Sequence, residues 1–300
     1  MKIKEKRFPS SDGKHQLYCK IYEPEGRPCG LFHVVHGMVE HIGRFHRFMS
    51  AMCANGWVCY GFDNLGHGHS VNDESEFGYI GGYKYLLADV RRFTAEMKKA
   101  YPGLPAVLMG HSMGSFIVRN TVTDELWDKL VIMGTGGPNP AAGAGMMVLR
   151  VEIRRNGEKG YSDLIENLMF GKYNRRFQED DSYAWLSTLQ ETRDMYRNDP
   201  LCGFKFTLSA DRDLITLLRR CNRKSWFTRA NMDMPILLVS GSDDPVGDYG
   251  KGVEKVFHGL QSAGKDVRMK LYQGYRHEIL NDVCRDEVTA DILAFAQEGL

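Results

Sequence analysis

The sequence predicts an α/β protein in which a mostly parallel central sheet is flanked by helices. Short apolar runs alternate with segments of helical spacing up to residue 136, and the alternation returns after residue 230. Strands that alternate with helices form parallel sheets that are covered on both faces. Residues 137–229 break this rhythm, and a single crossover helix needs far fewer residues, so we expect an inserted unit there.

The N-terminal segment differs from the rest of the predicted sheet. Residues 2–24 contain two short runs on either side of Ser11, Asp12 and Gly13, which form a turn signal. This pattern predicts a hairpin that adds antiparallel strands at one edge of the sheet.

The first part of the predicted core contains four buried strands and two helices. Residues 45–52 and 86–101 each carry one apolar stripe at helical spacing, followed by glycine or proline stop signals. The strands are rich in β-branched or aromatic residues, as expected when both faces of a sheet are covered. Their sequences are GLFHVVHG (30–37), WVCYGFD (57–63), PAVLMGHS (105–112) and KLVIMGTG (129–136).

The second part of the core repeats the pattern. PILLVSG (235–241) and VRMKLYQG (267–274) are predicted strands, residues 253–260 form a helix face, and residues 281–299 are predicted to form the last helix. We therefore divide the chain into a first core part (1–136), an inserted unit (137–229) and a second core part (230–300).

The inserted unit is predicted to be mainly helical. It follows the Gly- and Pro-rich stretch GTGGPNPAAGAG and carries helical segments such as SDLIENLMF, while residues 146–153 fit a strand or a helix equally well. We expect this unit to form a cap over the carboxyl edge of the sheet, where ligands of open α/β folds bind.

Composition and charge narrow the classes of partner. A net charge of +1 spread along the chain gives no reason to expect nucleic acid or an anionic membrane as a partner. The basic N-terminus has no apolar segment behind it, so we expect neither an export signal nor a membrane-spanning segment. Seven scattered cysteines without a C-x-x-C pair argue against a disulfide framework and a zinc site, and they favour the cytoplasm.

Ser112 is the candidate nucleophile. It lies in the sequence GHSMG, after the apolar run PAVLM and before the apolar run FIVRNTV. This is the strand, turn and helix setting of a nucleophile elbow, in which the glycines leave room for a sharp turn. The turn also places Ser112 at a helix N-terminus, where the helix dipole favours developing negative charge.

A nucleophilic serine needs a histidine base and a carboxylate that orients it. Two histidines follow Ser112: His258 lies within a helical pattern, whereas His277 follows a predicted strand at the expected catalytic edge. His277 is therefore the candidate base. Asp243 and Asp244 both follow the preceding predicted strand, and spacing alone does not separate them.

Acyl transfer also requires donors for the oxyanion. The backbone amide of Met113, the residue after the nucleophile, is one candidate, and the amide of Met38 in the loop HVVHGMVEH is the other. His36 and His41 lie in the same loop, but no set of ligands with metal-binding spacing accompanies them, so we expect them to form hydrogen bonds that shape the loop. We expect neither a metal ion nor an organic cofactor.

Five motifs, taken together, resemble the monoacylglycerol lipase and lysophospholipase group of serine hydrolases, whose members are often labelled serine aminopeptidase-like. The motifs are HGMVEHIGRF, FDNLGHGHS, GHSMGS, GSDDPVG and YRHEILND, and they occur in order along nearly the whole chain. The resemblance implies the α/β-hydrolase fold, Asp244 as the catalytic acid and Met38 and Met113 as the oxyanion hole. The chain departs from the group at Met38 and Val39, where smaller residues are common, and at Phe45, which replaces a tyrosine.

The predicted function is that of a serine carboxylester hydrolase that acts through an acyl-enzyme. Monoacylglycerols, lysophospholipids or similar esters of short or medium chain length are the expected small-molecule substrates. Apolar residues of the cap are candidates for the wall of an acyl channel; they are Met146, Met147, Leu149, Leu168, Met169, Phe170 and Trp185.

Two alternatives remain open at this stage. An aminopeptidase-type serine hydrolase would need an acidic pocket for the substrate amine, for which Glu179, Asp180 and Asp181 are candidates. A non-catalytic ligand-binding homologue usually carries a broken triad, and no break is visible in this sequence.

Overall fold

The computed structural model describes residues 1–299, which contain eight strands and ten α-helices. The strands are β1 (Lys2–Pro9), β2 (Gln16–Glu23), β3 (Gly30–Val35), β4 (Trp57–Phe62), β5 (Ala106–His111), β6 (Lys129–Met133), β7 (Ile236–Gly241) and β8 (Val267–Tyr272). The helices are α1 (His46–Ala54), α2 (Tyr83–Ala100), α3 (Met113–Thr121), α4 (Ala142–Asn156), α5 (Asp163–Phe170), α6 (Gln190–Asn198), α7 (Leu208–Cys221), α8 (Lys224–Phe227), α9 (Lys251–Ser262) and α10 (Arg285–Gln297). Short 3₁₀ helices span Ile42–Phe45, Gly68–Ser70 and Glu74–Glu76.

All eight strands form one sheet in the order β1-β2-β4-β3-β5-β6-β7-β8. The β1–β2 hairpin is antiparallel and pairs antiparallel with β4, whereas every pairing from β4 through β3 to β8 is parallel. The predicted fold class is confirmed, and the hairpin lies at the predicted edge. Every residue of β3 to β7 is buried, which explains why these strands are predominantly apolar rather than alternating.

Helices cover both faces of the sheet. Apolar residues of α2, α3 and α9 pack on one face, and those of α1 and α10 pack on the other. The long helix α2 is amphipathic, with Leu86, Val90 and Phe93 buried. Within residues 1–299, no helix has both the length and the apolar character that crossing a bilayer requires.

The structure resolves one ambiguity of the sequence prediction and corrects one helix boundary. Residues 146–153, which fitted either a strand or a helix, belong to α4. The last helix begins at Arg285 and not at residue 281, because the carboxylate of Asp282 holds the preceding turn against the inserted unit. Asp282 Oδ2 accepts hydrogen bonds from Ser187 Oγ (2.8 Å) and from the amide of Thr188 (2.7 Å).

Helices α4 to α8 lie between β6 and β7 in the chain, and α7 packs against both α3 and α4. The fully buried guanidinium of Arg119 in α3 joins the two ends of this inserted segment. It donates to the carbonyl of Gly136 (3.1 Å) before α4 and to that of Cys221 (2.6 Å) at the end of α7. The segment is thus anchored to the helix that follows Ser112.

A buried acid in α7 makes the stability of the protein depend on pH. Burial, together with the nearby charge of Glu166, raises the pKa of Asp211 to about 7. In the unfolded chain the pKa of an aspartate is about 3.9. As the pH rises from about 4 to 7, Asp211 therefore ionises in the unfolded chain before it ionises in the folded protein, and the free energy of unfolding falls over this range. Asp211→Asn is expected to raise the Tm by about 3–6 °C at pH 8 and to change it little at pH 4.

Differential scanning calorimetry at the two pH values tests this expectation. Asp180→Asn is the matched control, because Asp180 is exposed and its replacement should leave the Tm unchanged at either pH. A gain for Asp211→Asn that is equal at pH 4 and pH 8 would mean that ionisation of Asp211 is not its cause.

Candidate active site

Ser112 occupies a strained turn between β5 and α3. Its backbone has φ 54° and ψ −121°, a conformation that non-glycine residues rarely adopt. A side chain at position 110 would collide with the carbonyl of Gly114, and one at position 114 would collide with the carbonyl of Val35. Both glycines of the GHSMG motif are therefore required by close backbone approach, and the turn carries the Ser112 hydroxyl to the carboxyl edge of the sheet.

His277 and Asp244 are in direct contact at the same edge. His277 Nδ1 donates to Asp244 Oδ2 over 2.8 Å, and the two side chains are 2% and 0% exposed. Asp244 Oδ1 also accepts from the amide of Val246 (2.9 Å), so both carboxylate oxygens are held. This arrangement keeps the Nδ1 proton on the Asp244 side and leaves His277 Nε2 available as a base. Asp243 is exposed and does not contact His277.

A cavity of about 770 Å³ lies above this edge, and Ser112, His277, Met38 and Met113 all line it. Among residues 1–299, neither the Ser112 hydroxyl nor the Met38 and Met113 amides donate a hydrogen bond to another group. The candidate nucleophile, the candidate base and the two candidate backbone donors therefore meet at one cavity, with the Ser112 hydroxyl and both amides available to a substrate. Contacts between catalytic groups commonly tighten only when substrate is bound.

The loop that carries Met38 is held by hydrogen bonds of His36, as expected, and of Glu40, to which the sequence interpretation gave no role. Glu40 Oε1 accepts a hydrogen bond from the amide of Gly37 (2.6 Å), and Val39 has a positive φ of 49°. His36 Nε2 accepts a hydrogen bond from the amide of Asn64 (2.8 Å). The imidazole is neutral and can accept this bond, because burial lowers the pKa of His36 to about 3. The H-G-x-x-E motif was the available signal for the role of Glu40.

Glu40 belongs to a buried group of four charged side chains beside His277, which we call the polar cluster: Glu40, Arg44, His111 and Glu278. Arg44 forms ion pairs with both glutamates, and His111 Nδ1 donates to Glu40 Oε1 over 3.0 Å. Burial opposes the charge of His111, but the hydrogen bond and charge of Glu40 and the charge of Glu278 raise its pKa. With His111 protonated, as the acceptors at both of its ring nitrogens require, the two positive and two negative charges of the cluster balance.

His111 links the polar cluster to the candidate base. Its Nε2 donates to the carbonyl of His277 (3.3 Å), and the two imidazole rings lie 4.6 Å apart between centroids. Both nitrogens of His111 act as donors, as in an imidazolium. The cluster thereby fixes the backbone of the base as well as the oxyanion loop.

The opposite walls of the cavity are apolar and come from α3 and the inserted helices. Representative lining residues are Phe116, Val148, Met169, Leu214 and Leu218. Of the predicted channel residues, Leu168, Met169, Phe170 and Trp185 line the cavity.

The remaining three candidates for the channel wall do not line the cavity. Met146 and Leu149 are buried in the interior of the inserted unit, and Met147 is 68% exposed. The prediction was wrong for these three residues because only one face of α4 lies against the cavity. That face carries Val148, whereas Met146, Met147 and Leu149 lie on other faces of the helix.

The acidic residues required by the aminopeptidase alternative are mostly paired with arginines. Glu179 accepts a hydrogen bond from Arg276 (2.6 Å), and Asp181 accepts one from Arg193 (2.8 Å). Asp180 is exposed and does not line the cavity. These carboxylates therefore do not provide an unpaired acidic pocket for a substrate amine.

One group of possible metal ligands lies between the oxyanion loop and the inserted unit. Donor atoms of His41, Asp199 and Cys202 are all within 4.8 Å of one another. His41 Nε2 and Asp199 Oδ2 are hydrogen bonded to each other (2.9 Å), and burial raises the pKa of the Cys202 thiol. This hydrogen bond joins the loop to the inserted unit, in line with the loop-shaping role expected for His41.

Comparison with known proteins identifies the family. The family model described as serine aminopeptidase, S33, matches residues 26–283. The chain belongs to this family.

Relatives of this S33 family member include named lipases and esterases. Human monoglyceride lipase is 28% identical over 294 residues, which cover 94% of this chain and 86% of the lipase. Monoacylglycerol lipase from Mycolicibacterium smegmatis is 27% identical, with 97% of each chain covered. A solved structure of a highly thermostable carboxyl esterase from Bacillus coagulans, in complex with glycerol, has a TM-score of 0.92 at 30% identity and covers 99% of this chain and 98% of its own. The resemblance inferred from the motifs is confirmed.

Proposed function

We propose that this S33 family member is a serine carboxylester hydrolase that cleaves esters of the monoacylglycerol type through an acyl-enzyme. The observation that carries the proposal is the position of Ser112 and His277 between apolar walls and the polar cluster of one cavity. An ester with an apolar acyl chain and a polar alcohol matches this division. The names of the lipase and esterase relatives support the same reaction.

In the proposed mechanism, Ser112 attacks the ester carbonyl while His277 removes its proton. Asp244 stabilises the resulting imidazolium, and the amides of Met38 and Met113 donate to the oxyanion of the tetrahedral intermediate. His277 then protonates the leaving alcohol. In the second half of the reaction, His277 activates a water molecule that releases the acid and restores Ser112.

We assign residues 137–229 to a cap that supplies the acyl-binding wall. Helices α4, α5 and α7 contribute apolar lining such as Val148, Met169 and Leu214, whereas the core contributes Phe116, Val246 and the reacting groups. Arg119 anchors both ends of the cap, so the acyl-binding wall and the nucleophile elbow share one support.

The compartment proposed for the enzyme is the cytoplasm. All seven cysteines are free, and burial raises the pKa of several of their thiols, including Cys19 and Cys59. A reducing compartment suits such a set of thiols.

A series of p-nitrophenyl esters, compared with an aminoacyl p-nitroanilide, tests the reaction class. We expect kcat/KM to rise about threefold to fourfold per added methylene while the acyl chain is short, because each methylene buried against the cap contributes about 0.8 kcal/mol. The anilide should react at least about a hundredfold more slowly, because its amine meets no unpaired carboxylate in the acyl-binding wall. Faster turnover of the anilide than of every ester would instead establish the peptidase.

A further inference from the structure

Glu278 is a buried carboxylate in the active-site cavity, and one of its two oxygen atoms accepts no hydrogen bond from residues 1–299. It directly follows His277, is 4% exposed and lines the cavity. Its Oε2 atom is bound by Arg44 and by Asn281 Nδ2 (3.3 Å). Its Oε1 atom accepts no hydrogen bond from any residue between 1 and 299. The surrounding protein atoms do not enclose this oxygen completely. A group that enters the cavity can therefore reach it.

The position of Glu278 places it on the side of the leaving alcohol. His277 must protonate the leaving oxygen, so the alcohol is bound next to this imidazole. On that side the loops after β3 and β8 bring two carboxylates to the cavity, Glu40 and Glu278, while Met38 and Val39 of the first loop also line it. The apolar walls instead come from α3 and the cap helices. The acyl chain and the alcohol are thus assigned to different walls of the same cavity.

The backbone and side chain of Glu278 are both fixed. Its amide donates to the carbonyl of Leu186 (2.8 Å), and the Trp185 ring packs against His277 with 5.1 Å between ring centroids. Arg44 is itself held over the ring of Tyr196 at 4.9 Å. A carboxylate positioned in this way needs no rearrangement to accept a hydrogen bond from a bound alcohol.

We propose that Glu278 Oε1 accepts a hydrogen bond from a free hydroxyl of the leaving alcohol, and thereby selects esters of uncharged polyols such as glycerol. This inference rests on the proposed ester hydrolysis. A simple alkyl alcohol has no second hydroxyl and would leave this carboxylate oxygen without a hydrogen bond. Binding such an alcohol is unfavourable, because a buried charged oxygen that has lost contact with water needs a donor.

The same geometry disfavours alcohols that carry a phosphate. Arg44 is already committed to Glu40 and Glu278, and His111 is committed to Glu40, so the polar cluster offers no unpaired cation. A phosphodiester anion bound beside the polar cluster would lie against two glutamates whose cations are already paired. Lys172 and Lys255 also line the cavity, but they belong to the cap and to α9 rather than to the loops that carry the two glutamates. Among the two lipid classes considered from the sequence, the structure therefore favours monoacylglycerols over lysophospholipids.

Three octanoyl esters with different alcohols test the proposal: 1-octanoylglycerol, methyl octanoate and 1-octanoyl-lysophosphatidylcholine. All three form the same octanoyl-enzyme, so differences in kcat/KM arise before or at departure of the alcohol. The quantity to compare is kcat/KM for the glycerol ester divided by kcat/KM for the methyl ester. We expect Glu278→Met to lower this ratio by about tenfold. Comparing this ratio between enzymes cancels the intrinsic reactivity of the two esters.

A conservative variant and a control complete the design. Glu278→Gln keeps the shape and an oxygen acceptor but not the charge, so its ratio should fall to a value between those of wild type and Glu278→Met; it also serves if Glu278→Met does not fold. Glu254→Met replaces an exposed glutamate of α9 outside the cavity and should leave the ratio unchanged.

The possible outcomes separate the two proposals. If wild type fails to hydrolyse p-nitrophenyl octanoate and all three esters, the proposed ester hydrolysis is wrong. If wild type hydrolyses these esters but both Glu278 variants keep the wild-type glycerol to methyl ratio, ester hydrolysis stands and the role of Glu278 is overturned. A higher kcat/KM for the lysophospholipid than for the glycerol ester would likewise overturn the selection of uncharged polyols.

Discussion

Replacing Ser112 by alanine is expected to lower kcat for ester hydrolysis by about 10⁵-fold to 10⁶-fold, as is typical when a serine nucleophile is removed. The cavity and the two oxyanion donors remain, so a small residual rate above that in water should persist. Steady-state hydrolysis of p-nitrophenyl octanoate measures the effect. A variant that retained substantial turnover would remove Ser112 from the mechanism.

Stability measurements provide the control for this variant. Alanine, like serine, carries a Cβ atom, so Ser112→Ala should keep the strained φ of 54° and a nearly unchanged Tm. Ser112→Gly should be equally inactive but more stable, because glycine adopts positive φ without the cost of about 1–3 kcal/mol. Adding His277→Ala to Ser112→Ala should cause little further loss of kcat, since the two residues act as a unit.

Asp244→Asn is expected to lower kcat by about 10⁴-fold, because an amide at this position favours the wrong tautomer of the histidine. The structural basis is the hydrogen bond of 2.8 Å between Asp244 Oδ2 and His277 Nδ1, both in fully or almost fully buried side chains. The neighbouring Asp243 is exposed and has no contact with the imidazole. Its change to asparagine should alter kcat by less than about threefold.

The pair of variants is a matched comparison, because the two aspartates are adjacent in one loop and undergo the same chemical change. Kinetics with p-nitrophenyl octanoate and a melting curve for each variant suffice. Equal losses of activity in the two variants would mean that the loop, rather than one carboxylate, is being disturbed. A larger loss in Asp243→Asn would reverse the proposed assignment.

Features that depend on nearby residues could be predicted from the sequence. The predominantly apolar strands β3 to β7 and the amphipathic helix α2 follow from local sequence pattern. The setting of Ser112 has a local sequence pattern, with small residues two positions before and after it, although the glycine at 114 is required by the distant carbonyl of Val35. The order of strands and helices then placed His277 and the aspartate pair at the same edge of the sheet, since parallel strands bring their carboxyl ends together.

Features that depend on distant contacts were decided by the tertiary structure. Spacing alone does not separate Asp243 from Asp244; the family resemblance favoured Asp244, and the packing of the loop buries that residue against His277. The face of α4 that lines the cavity was likewise set by its contacts with α7, which is why Met146 and Leu149 do not line the cavity.

By itself, the sequence determined the α/β class, the nucleophile elbow and the chemical groups required for acyl transfer, because each depends on residue type and short-range spacing. The tertiary structure decided what surrounds those groups. Arg44 and Glu278 are 234 positions apart, yet they form one buried ion pair beside the base. No periodicity in the chain encodes that contact, because it exists only once the loops after β3 and β8 meet above the folded sheet.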